Sequence, residues 1–218
     1  ASNPNCEDDY MLTEKQRQYI KNADRRWNVK VGAVRSGKTY ADYFMIPKRI
    51  LKGGGGEGLI ILIGYTGATL ERNIIEPMRQ IWGGQAVGPV TSDGSVRLFG
   101  SEAKLLGASS SSRAAALQGS SVRYCYGDEV TTWNEQDFRM LQSRLDRTDS
   151  VFDGTCNPSF PSHWFKRFLD TAQNLYLQHY TLDDNPALPE AFRENLKREY
   201  AGTVFYNGYI LGQWAAAE

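Results

Sequence analysis

The chain has 218 residues, 41% of them hydrophobic, and its 25 Lys and Arg residues balance its 25 Asp and Glu residues. This length supports one sizeable core. A net charge of zero argues against the class of proteins that bind nucleic acid through an overall positive field, although a local basic strip is compatible with it. The three cysteines are far apart and only two histidines are present, so no zinc-binding spacing can be assembled. The longest apolar run, residues 59–63, is too short to span a bilayer.

The first elements predict a helix followed by a strand, a glycine-rich turn and a second helix. Thr13 as N-cap, with Gln16 three residues later, forms a capping-box pattern that predicts a helix start. The alternating stretch 28–31 predicts a strand. A helix is expected from Lys38 to about residue 51, and Pro47 should bend or shorten it.

The turn between that strand and that helix has the pattern of a phosphate-binding loop. It reads G-A-V-R-S-G-K-T, a full match to G-x-x-x-x-G-K-[ST] in the strand–turn–helix context that the pattern requires. Its backbone N–H groups would surround a β-phosphate, Lys38 would reach the β- and γ-phosphates, and Thr39 would bind Mg²⁺. The alternative is a Gly/Ser-rich turn that happens to carry a lysine. The predicted nucleotide-binding residues of the loop are Gly32, Arg35, Ser36, Gly37, Lys38 and Thr39.

The remaining elements alternate between strands and helices. Strands are predicted at 59–65, at 96–108 as two short strands around a turn, and at 122–127, 151–155 and 175–179; helices are predicted at 69–82, 113–117, 134–145, 164–170 and 189–200. Strands that alternate with helices after a phosphate loop predict a three-layer α/β fold with a mostly parallel sheet.

An acid pair, Asp128-Glu129, follows the strand 122–127. In phosphate-loop NTPases an aspartate at such a strand end holds Mg²⁺ opposite the loop hydroxyl. A glutamate directly after it would face the γ-phosphate, where it can polarise an attacking water. A solvated acidic turn is the alternative, but the placement behind an apolar strand favours hydrolysis.

A third polar cluster, Thr155-Cys156-Asn157-Pro158, also lies at a strand end. Thr155 and Asn157 could contact both the γ-phosphate and the catalytic carboxylate, and so couple hydrolysis to a conformational change. Without the other two motifs, Asn-Pro would be an ordinary turn.

Together these motifs resemble one family over nearly the whole chain: the ATPase domain of the large terminase subunit of tailed bacteriophages, the motor that packages DNA. The similar segments are Leu12–Gln16 as adenine-recognition segment, Gly32–Thr39 with Arg35 inside it, Leu117–Ser120, Asp128–Val130, Arg144-Leu145, Thr155–Pro158 with His163–Phe165, and Asp184–Pro186 through Leu211–Trp214. This resemblance places Gln16 near the base.

The resemblance implies an ASCE-type P-loop NTPase core over residues 1–174, with the adenine-recognition segment at 10–20, and a small C-terminal lid and linker subdomain over 175–218. It implies ATP and Mg²⁺ as cofactors, Glu129, Lys38 and Arg35 as catalytic residues, and Thr39 and Asp128 as metal ligands. The nuclease domain of the family would lie outside this chain, so no nuclease activity is expected from it.

The resemblance also implies partners. We expect double-stranded DNA, portal protein, the small terminase subunit and further copies of the chain in a ring on the portal, and no membrane. The expected location is the cytoplasm of a bacterial host, with transient docking on the procapsid.

One departure from the family concerns the arginine finger. Many relatives carry an arginine just before the glycine at position 119, where this chain has Gln118. The finger that acts on a neighbouring subunit is therefore open among Arg113, Arg123 and Arg144, alongside Arg35. Each could instead be a surface charge or an ion-pair partner.

Two other functions remain alternatives. A helicase-like DNA-remodelling ATPase would share this core, but it would normally need a second motor domain that 218 residues do not provide. A nucleotide-gated assembly protein would bind ATP without productive hydrolysis, and Glu129 argues against it.

Overall fold

The computed structural model describes residues 12–52, 56–108, 117 and 119–215, and its strands and helices largely alternate. The strands are β1 (Trp27–Gly32), β2 (Leu59–Gly64), β3 (Val87–Val90), β4 (Ser95–Leu98), β5 (Ser101–Gly107), β6 (Val122–Gly127), β7 (Val151–Cys156) and β8 (Leu175–Tyr180). The helices are α1 (Glu14–Asn22), α2 (Asp42–Lys52), α3 (Gly67–Leu70), α4 (Glu76–Trp82), α5 (Glu135–Arg144), α6 (Trp164–Thr171), α7 (Glu190–Tyr200) and α8 (Phe205–Tyr209). The start of the predicted adenine-recognition segment, most of the predicted helix 113–117, and Arg113 lie outside the described residues.

The strands form one sheet in the order β3-β4-β5-β2-β6-β7-β1-β8. From β5 to β8 all neighbours are parallel, and β3 and β4 add an antiparallel edge beside β5. The register pairs Gly127 of β6 with Gly154 of β7, and Val31 of β1 with Cys156 of β7, so these three strands end at the same edge. The predicted α/β fold with a mostly parallel sheet is confirmed.

The strand β8 corrects the predicted domain boundary. It pairs with β1 along its whole length, from Trp27 opposite Leu175 to Gly32 opposite Tyr180. Tyr180 is fully buried, and a Cβ at Gly32 would lie 2.5 Å from the Cβ of Tyr180. Because this strand belongs to the main sheet, the core does not end at residue 174, and the residues outside the sheet begin at 181. We call residues 181–215 the C-terminal segment.

Helices cover both faces of the sheet, which gives the predicted three layers. On one face α5 and α6 pack through Phe138, Leu141, Phe165 and Phe168 against Val29, Cys125 and Phe152. On the other face α2, α4 and the π-helical stretch before α4 (Glu71–Ile75) pack through Ile46, Ile50, Ile74 and Met78 against Ile60, Leu62, Tyr124 and Tyr126. The alternation of strand residues between the two clusters is the period of two expected for a sheet covered on both sides.

In the part of the chain that the structure describes, no helix has the length and hydropathy needed to cross a membrane.

The helix after the phosphate loop starts later than predicted and is not shortened by its proline. Residues 38–41 form tight turns, with Tyr40 N–H bonded to Gly37 O and Asp42 N–H to Thr39 O, and regular α-helix begins at Asp42. Pro47 lies inside α2 and has no N–H for the carbonyl of Tyr43. That carbonyl accepts a hydrogen bond from the Trp82 indole instead, at 2.8 Å. The helix continues to Lys52 because this replacement satisfies the freed carbonyl.

A buried ion pair ties the start of α2 to β1. The Lys30 ammonium pairs with the Asp42 carboxylate, and both side chains are fully buried. The second oxygen of Asp42 accepts a hydrogen bond from the Tyr126 hydroxyl at 3.0 Å, and the Lys30 ammonium lies 3.6 Å from the centre of the Tyr19 ring. Burial raises the pKa of Asp42 to about 6, although the neighbouring Lys30 opposes that shift.

A second buried carboxylate, Asp153 of β7, ties α1 and α2 to the sheet. Arg49 of α2 donates two hydrogen bonds to it, at 2.8 and 3.1 Å. The hydroxyls of Tyr19 and Tyr124 donate two more, at 2.8 and 2.9 Å. Asp153 is fully buried, and this full set of donors compensates its loss of water.

Replacing Lys30 by methionine should destabilise the fold strongly at neutral pH. The Asp42 carboxylate would be buried without its cation, which typically costs about 3–5 kcal/mol. The loss should shrink on acidification, because a buried carboxyl with a raised pKa binds its proton more readily in the folded chain than in the unfolded one.

Urea unfolding at neutral and mildly acidic pH measures both effects. The matched control is Lys166→Met, which removes one partner of the partly exposed Lys166–Asp170 pair and should change stability by less than about 1 kcal/mol. Equal stability of the two variants would contradict the assigned importance of the buried pair.

Candidate active site

The phosphate loop connects β1 to α2 and is held by hydrogen bonds to its carbonyl groups. The Gln16 side chain donates to Gly37 O at 2.8 Å, and the Asn185 side chain donates to Arg35 O at 2.7 Å. Arg35 and Gly37 have positive φ values of 59° and 83°, which turn the backbone around a concave centre.

The amide groups of this loop match an anion-binding site. Among the described residues, the backbone N–H groups of Gly37, Lys38 and Thr39 have no hydrogen-bond partner. The Ser36 hydroxyl is buried and likewise has none. Unpaired donors at the entrance to a helix are what a phosphate group satisfies. The loop residues therefore fit a nucleotide phosphate.

Gln16 lies against the loop. Its side chain is 4% exposed, accepts the Thr13 N–H at 2.8 Å to complete the predicted capping box, and donates to the loop. The structure thus gives Gln16 a role in holding the backbone of Gly37, beyond the base contact expected from the resemblance.

Lys38 joins the loop to the end of β7. Its ammonium donates to Ala33 O at 3.0 Å and to the Asn157 side-chain oxygen at 2.6 Å. Burial lowers the pKa of Lys38 to about 8, and the nearby Cys156, Glu129 and Asp128 oppose that shift.

Thr155 connects the two acidic residues. Its hydroxyl donates to the Asp128 carboxylate at 3.2 Å and accepts the Glu129 N–H at 3.3 Å. The predicted acid pair and the predicted coupling residues therefore meet at the carboxyl edge of the sheet, where β6 and β7 end together. Glu129 is exposed and has a φ of 47°, an unusual conformation for a residue other than glycine. Such backbone strain is concentrated at functional sites.

Asp128 is suited to a divalent cation. It is 6% exposed, and burial, followed by the charge of Glu129, raises its pKa to about 6. A cation would relieve both effects. The buried Asp128 carboxylate at the end of β6 and the partly exposed Thr39 of the loop provide the oxygen ligands that Mg²⁺ prefers. The residues present fit this metal.

The C-terminal segment contacts the loop directly. Ala33 of the loop packs with Leu182 and Ile210 of the segment in a small apolar cluster. The Arg35 guanidinium lies 5.4 Å from the centre of the Phe192 ring on α7. Lys15 of α1 forms an ion pair with Asp184 at 2.8 Å. These contacts attach the segment to both sides of the loop.

Gly212 shows how closely the end of the segment approaches. A Cβ at this position would lie 2.3 Å from Tyr180 O and 2.7 Å from Ala33 N, and its φ is 64°. Its carbonyl is hydrogen-bonded to the His179 ring at 2.8 Å. Only glycine permits the chain to pass here beside the phosphate loop.

The structure narrows the arginine candidates. Arg123 is 5% exposed near the amino end of β6, at the edge opposite the phosphate loop, so it does not meet the requirement for an exposed finger. The burial of Arg123 therefore corrects the expectation that it is a candidate for the arginine finger. Arg144 is partly exposed at the end of α5 and stays a candidate for the site of a neighbouring subunit. Arg113 lies outside the described residues.

Sequence reasoning missed three contacts at the site. Asn185 belongs to the segment Asp184–Pro186 of the resemblance, where no contact was assigned to it, and its side chain donates to Arg35 O. The indole of Trp133 donates to Asp128 O at 3.1 Å. Thr131 donates to Asn157 O at 2.9 Å. The proximity of Trp133 and Thr131 to the acid pair in sequence was the one signal available for them.

The affinity for ADP, measured without metal, should fall as pH rises through about 8. Phosphate binding favours the charged form of Lys38, and the empty site releases that proton at a pKa of about 8 instead of the ordinary 10.5. Above the pKa the loss should approach about tenfold per pH unit. Isothermal titration calorimetry with ADP at several pH values, in a buffer that contains a chelator, measures this pH dependence of the affinity.

The matched control for this titration is Lys38→Arg, whose guanidinium stays charged and should remove the dependence. Constant affinity of the unmodified chain up to about pH 9.5 would contradict the lowered pKa of Lys38.

Sequence comparison identifies a family over most of the chain. The profile described as terminase large subunit, T4likevirus-type, N-terminal, matches residues 30–218. This range contains the phosphate loop, the acid pair, Thr155 and the C-terminal segment. No curated protein shows a significant match.

Structural comparison finds similar folds. The chain resembles the large terminase of a thermophilic bacteriophage, with 28% identity, a TM-score of 0.81, and coverage of 96% of this chain and 55% of that one. The same thermophilic phage terminase in complex with ATP-γ-S gives a TM-score of 0.80 at 28% identity, covering 95% of this chain and 54% of that one. The chain thus spans about half the length of the thermophilic phage terminase.

More distant neighbours share the fold. The large terminase ATPase domain of Thermus phage P74-26 has 14% identity and a TM-score of 0.67, with 95% of each chain covered. A chain of the bacteriophage Phi-29 genome packaging motor assembly has 15% identity and a TM-score of 0.57, covering 88% of this chain and 66% of that one. With a matching family profile over residues 30–218 and the fold of terminase ATPase domains, the chain belongs to the T4likevirus-type terminase large subunits, in their N-terminal region.

Proposed function

We propose that this chain is the ATPase motor domain of a viral terminase large subunit, which hydrolyses ATP to drive double-stranded DNA into a procapsid. One observation carries the proposal: Thr155 bonds both Asp128 and Glu129, while Lys38 of the phosphate loop bonds Asn157 two residues further on. The loop, the acid pair and the coupling residues thus form a single site.

Nucleotide binding rests on the loop. The unpaired amides of Gly37, Lys38 and Thr39 would donate hydrogen bonds to the phosphates, and the Lys38 ammonium would exchange its present acceptors for phosphate oxygens. The thermophilic phage terminase, which is similar over 95% of this chain, has been solved with ADP and with ATP-γ-S. That similarity supports ATP as the substrate.

Hydrolysis requires a base beside the γ-phosphate, and Glu129, exposed at the end of β6 next to Asp128, would serve as that base. The Glu129 carboxylate would take a proton from water as the water oxygen forms a bond to the γ-phosphorus and the bond to the ADP oxygen breaks. Lys38 and the loop amides would stabilise the charge that develops on the phosphate oxygens. Arg35, or an arginine from a neighbouring subunit, would add to this stabilisation.

Thr39 and Asp128 would hold Mg²⁺, which would neutralise phosphate charge when bound. The raised pKa of Asp128 means that its ionised carboxylate would be stabilised by such a partner.

The loss of the γ-phosphate would be transmitted by two routes. Thr155 and Asn157 would report it to the end of β7, and Arg35 would report it to α7 through its contact with Phe192. The C-terminal segment would then act as a lid whose position depends on the bound nucleotide and moves DNA. Its several contacts with the loop support this role.

We further propose that the chain works in a ring with copies of itself on the portal, in the bacterial cytoplasm, together with the small terminase subunit and without a membrane. The fold shared with a chain of the Phi-29 packaging motor assembly supports assembly into such a motor.

Glu129→Gln should retain ATP binding and lose turnover by at least about a hundredfold, because the amide cannot accept the proton. Steady-state phosphate release and nucleotide titration measure the two properties. Ordinary turnover in this variant would refute the role of Glu129. The matched control is Glu135→Gln, a partly exposed residue of α5 whose change should leave turnover intact.

The same assay with and without duplex DNA separates the alternatives. Stimulation by duplex DNA without strand separation supports a packaging motor. Strand separation would favour a helicase-like ATPase, and ATP binding without hydrolysis in the ring-forming full-length protein would favour an assembly protein.

Thr155→Val should lower kcat about tenfold to a hundredfold with little change in KM for ATP. The change removes the hydroxyl that orients both acidic residues, leaves the Glu129 N–H without its acceptor, and does not touch the phosphate loop. Thr155→Ser keeps the hydroxyl and should restore most of the activity. A large rise in KM with normal kcat would contradict this positioning role.

A further inference from the structure

A cavity lies at the edge of the sheet opposite the phosphate loop. Its volume is about 370 Å³, and it is bordered by the start of β6 at Arg123, the start of β7 at Val151 and the end of α2 at Lys52. The amino ends of parallel strands form this edge, so the cavity is separated from the candidate active site by the length of the sheet.

Arg123 lines this cavity, and two of its three guanidinium nitrogens have no acceptor among the described residues. The residue is 5% exposed, and its Nε and Nη1 atoms are buried with no hydrogen-bond partner among the described residues. A buried N–H group without an acceptor is unfavourable, because it has lost its hydrogen bonds to water and has formed no others. An anion in the cavity would place an acceptor and a negative charge beside this guanidinium.

The other charges around the cavity are already paired. Asp24 has an ion pair with Arg25 at 3.7 Å, and Asp149 has one with Arg147 at 2.9 Å. The third lining charge, Arg49, donates to the buried Asp153 at 2.8 Å.

Two positive charges in the cavity wall form no ion pair in the described part of the chain: the Arg123 guanidinium, which interacts with Asp149 only at longer range, and the exposed Lys52 ammonium. A dianion would balance them. The guanidinium is planar and presents parallel donors that match the oxygens of phosphate or carboxylate.

We propose that this cavity is a second oxyanion site, which binds the phosphate group of inorganic phosphate or of a small phosphomonoester. Arg123 binds the phosphate oxygens from the buried side and Lys52 from the solvent side. The cavity exceeds the size of one phosphate group, and Tyr124 and Val151 provide apolar wall for the remainder of an ester. A DNA backbone is too large to bring its phosphate to so deeply buried a guanidinium.

The test observes Arg123 directly. The Nε–Hε signals of the ¹⁵N-arginine-labelled chain are recorded by NMR during titration with inorganic phosphate and, separately, ribose 5-phosphate, at constant ionic strength. The Arg123 signal is assigned by its loss in Arg123→Lys. Because the reporter is at the opposite edge of the sheet, phosphate bound at the ATP site does not mimic the result.

Saturable movement of the Arg123 signal is expected. In Arg123→Met, which lacks the Arg123 signal, binding is followed by the Nε–Hε signal of Arg49, which lines the same cavity. Arg123→Met should weaken the affinity of this site at least about tenfold and Lys52→Met by a smaller factor. The control Arg97→Met, which removes an exposed guanidinium from β4, should not change it. Tighter binding of the ester or of inorganic phosphate identifies the source of the phosphate group.

An Arg123 signal that neither compound moves would overturn the proposal, as would unchanged affinity in Arg123→Met. If Arg123→Met does not fold, the NMR titration and Lys52→Met decide the question. Binding of duplex DNA that Arg123→Met weakens as strongly as phosphate binding would also overturn it, since the site would then serve a macromolecule.

Discussion

The buried ion pair between Lys30 and Asp42 closes the base of the phosphate loop. Lys30 lies two residues before the loop and Asp42 three residues after it, so the pair fixes both ends of a flexible, glycine-containing segment. The Tyr126 hydroxyl attaches the same carboxylate to β6, whose end carries the acid pair. Burying two opposite charges is stable only with close geometry and full hydrogen bonding, which makes this arrangement specific. The loop and the acid pair therefore take their relative position from one buried contact.

Around this fixed base the site is assembled from segments that are distant in sequence. Gln16 of α1 and Asn185 of the C-terminal segment hold two carbonyls of the loop, and Lys38 reaches across to Asn157. With these carbonyls occupied, the amide groups of the loop remain as donors for an anion. The proposed motor would break one of these contacts when it binds nucleotide. A phosphate that draws Lys38 away from Asn157 would remove the hydrogen bond that links the loop to the end of β7.

The two edges of the sheet have different chemistry. At the carboxyl edge, the amide groups of the loop lie beside the adjacent acidic residues Asp128 and Glu129. This combination suits a phosphate together with a cation. At the amino edge, Arg123 and Lys52 form no ion pair with any described residue, and the neighbouring carboxylates of Asp24 and Asp149 have ion pairs with other arginines. This arrangement suits an anion alone. The proposed phosphate site therefore depends on the positive charges of Arg123 and Lys52, which form no ion pair with any described residue. The composition of the chain, with equal numbers of basic and acidic residues, does not reveal this local excess.

The sequence by itself determined the phosphate loop, the acid pair and the α/β fold, because these depend on local patterns: glycines at fixed spacing, apolar strands, and polar residues at strand ends. It could not place β8 in the sheet, because the sequence of a strand does not indicate which distant strand it pairs with. It also could not show that Thr155 joins Asp128 to Glu129, or that Arg123 is buried far from the candidate active site. Those contacts depend on which strands lie side by side, and only the tertiary structure decides that.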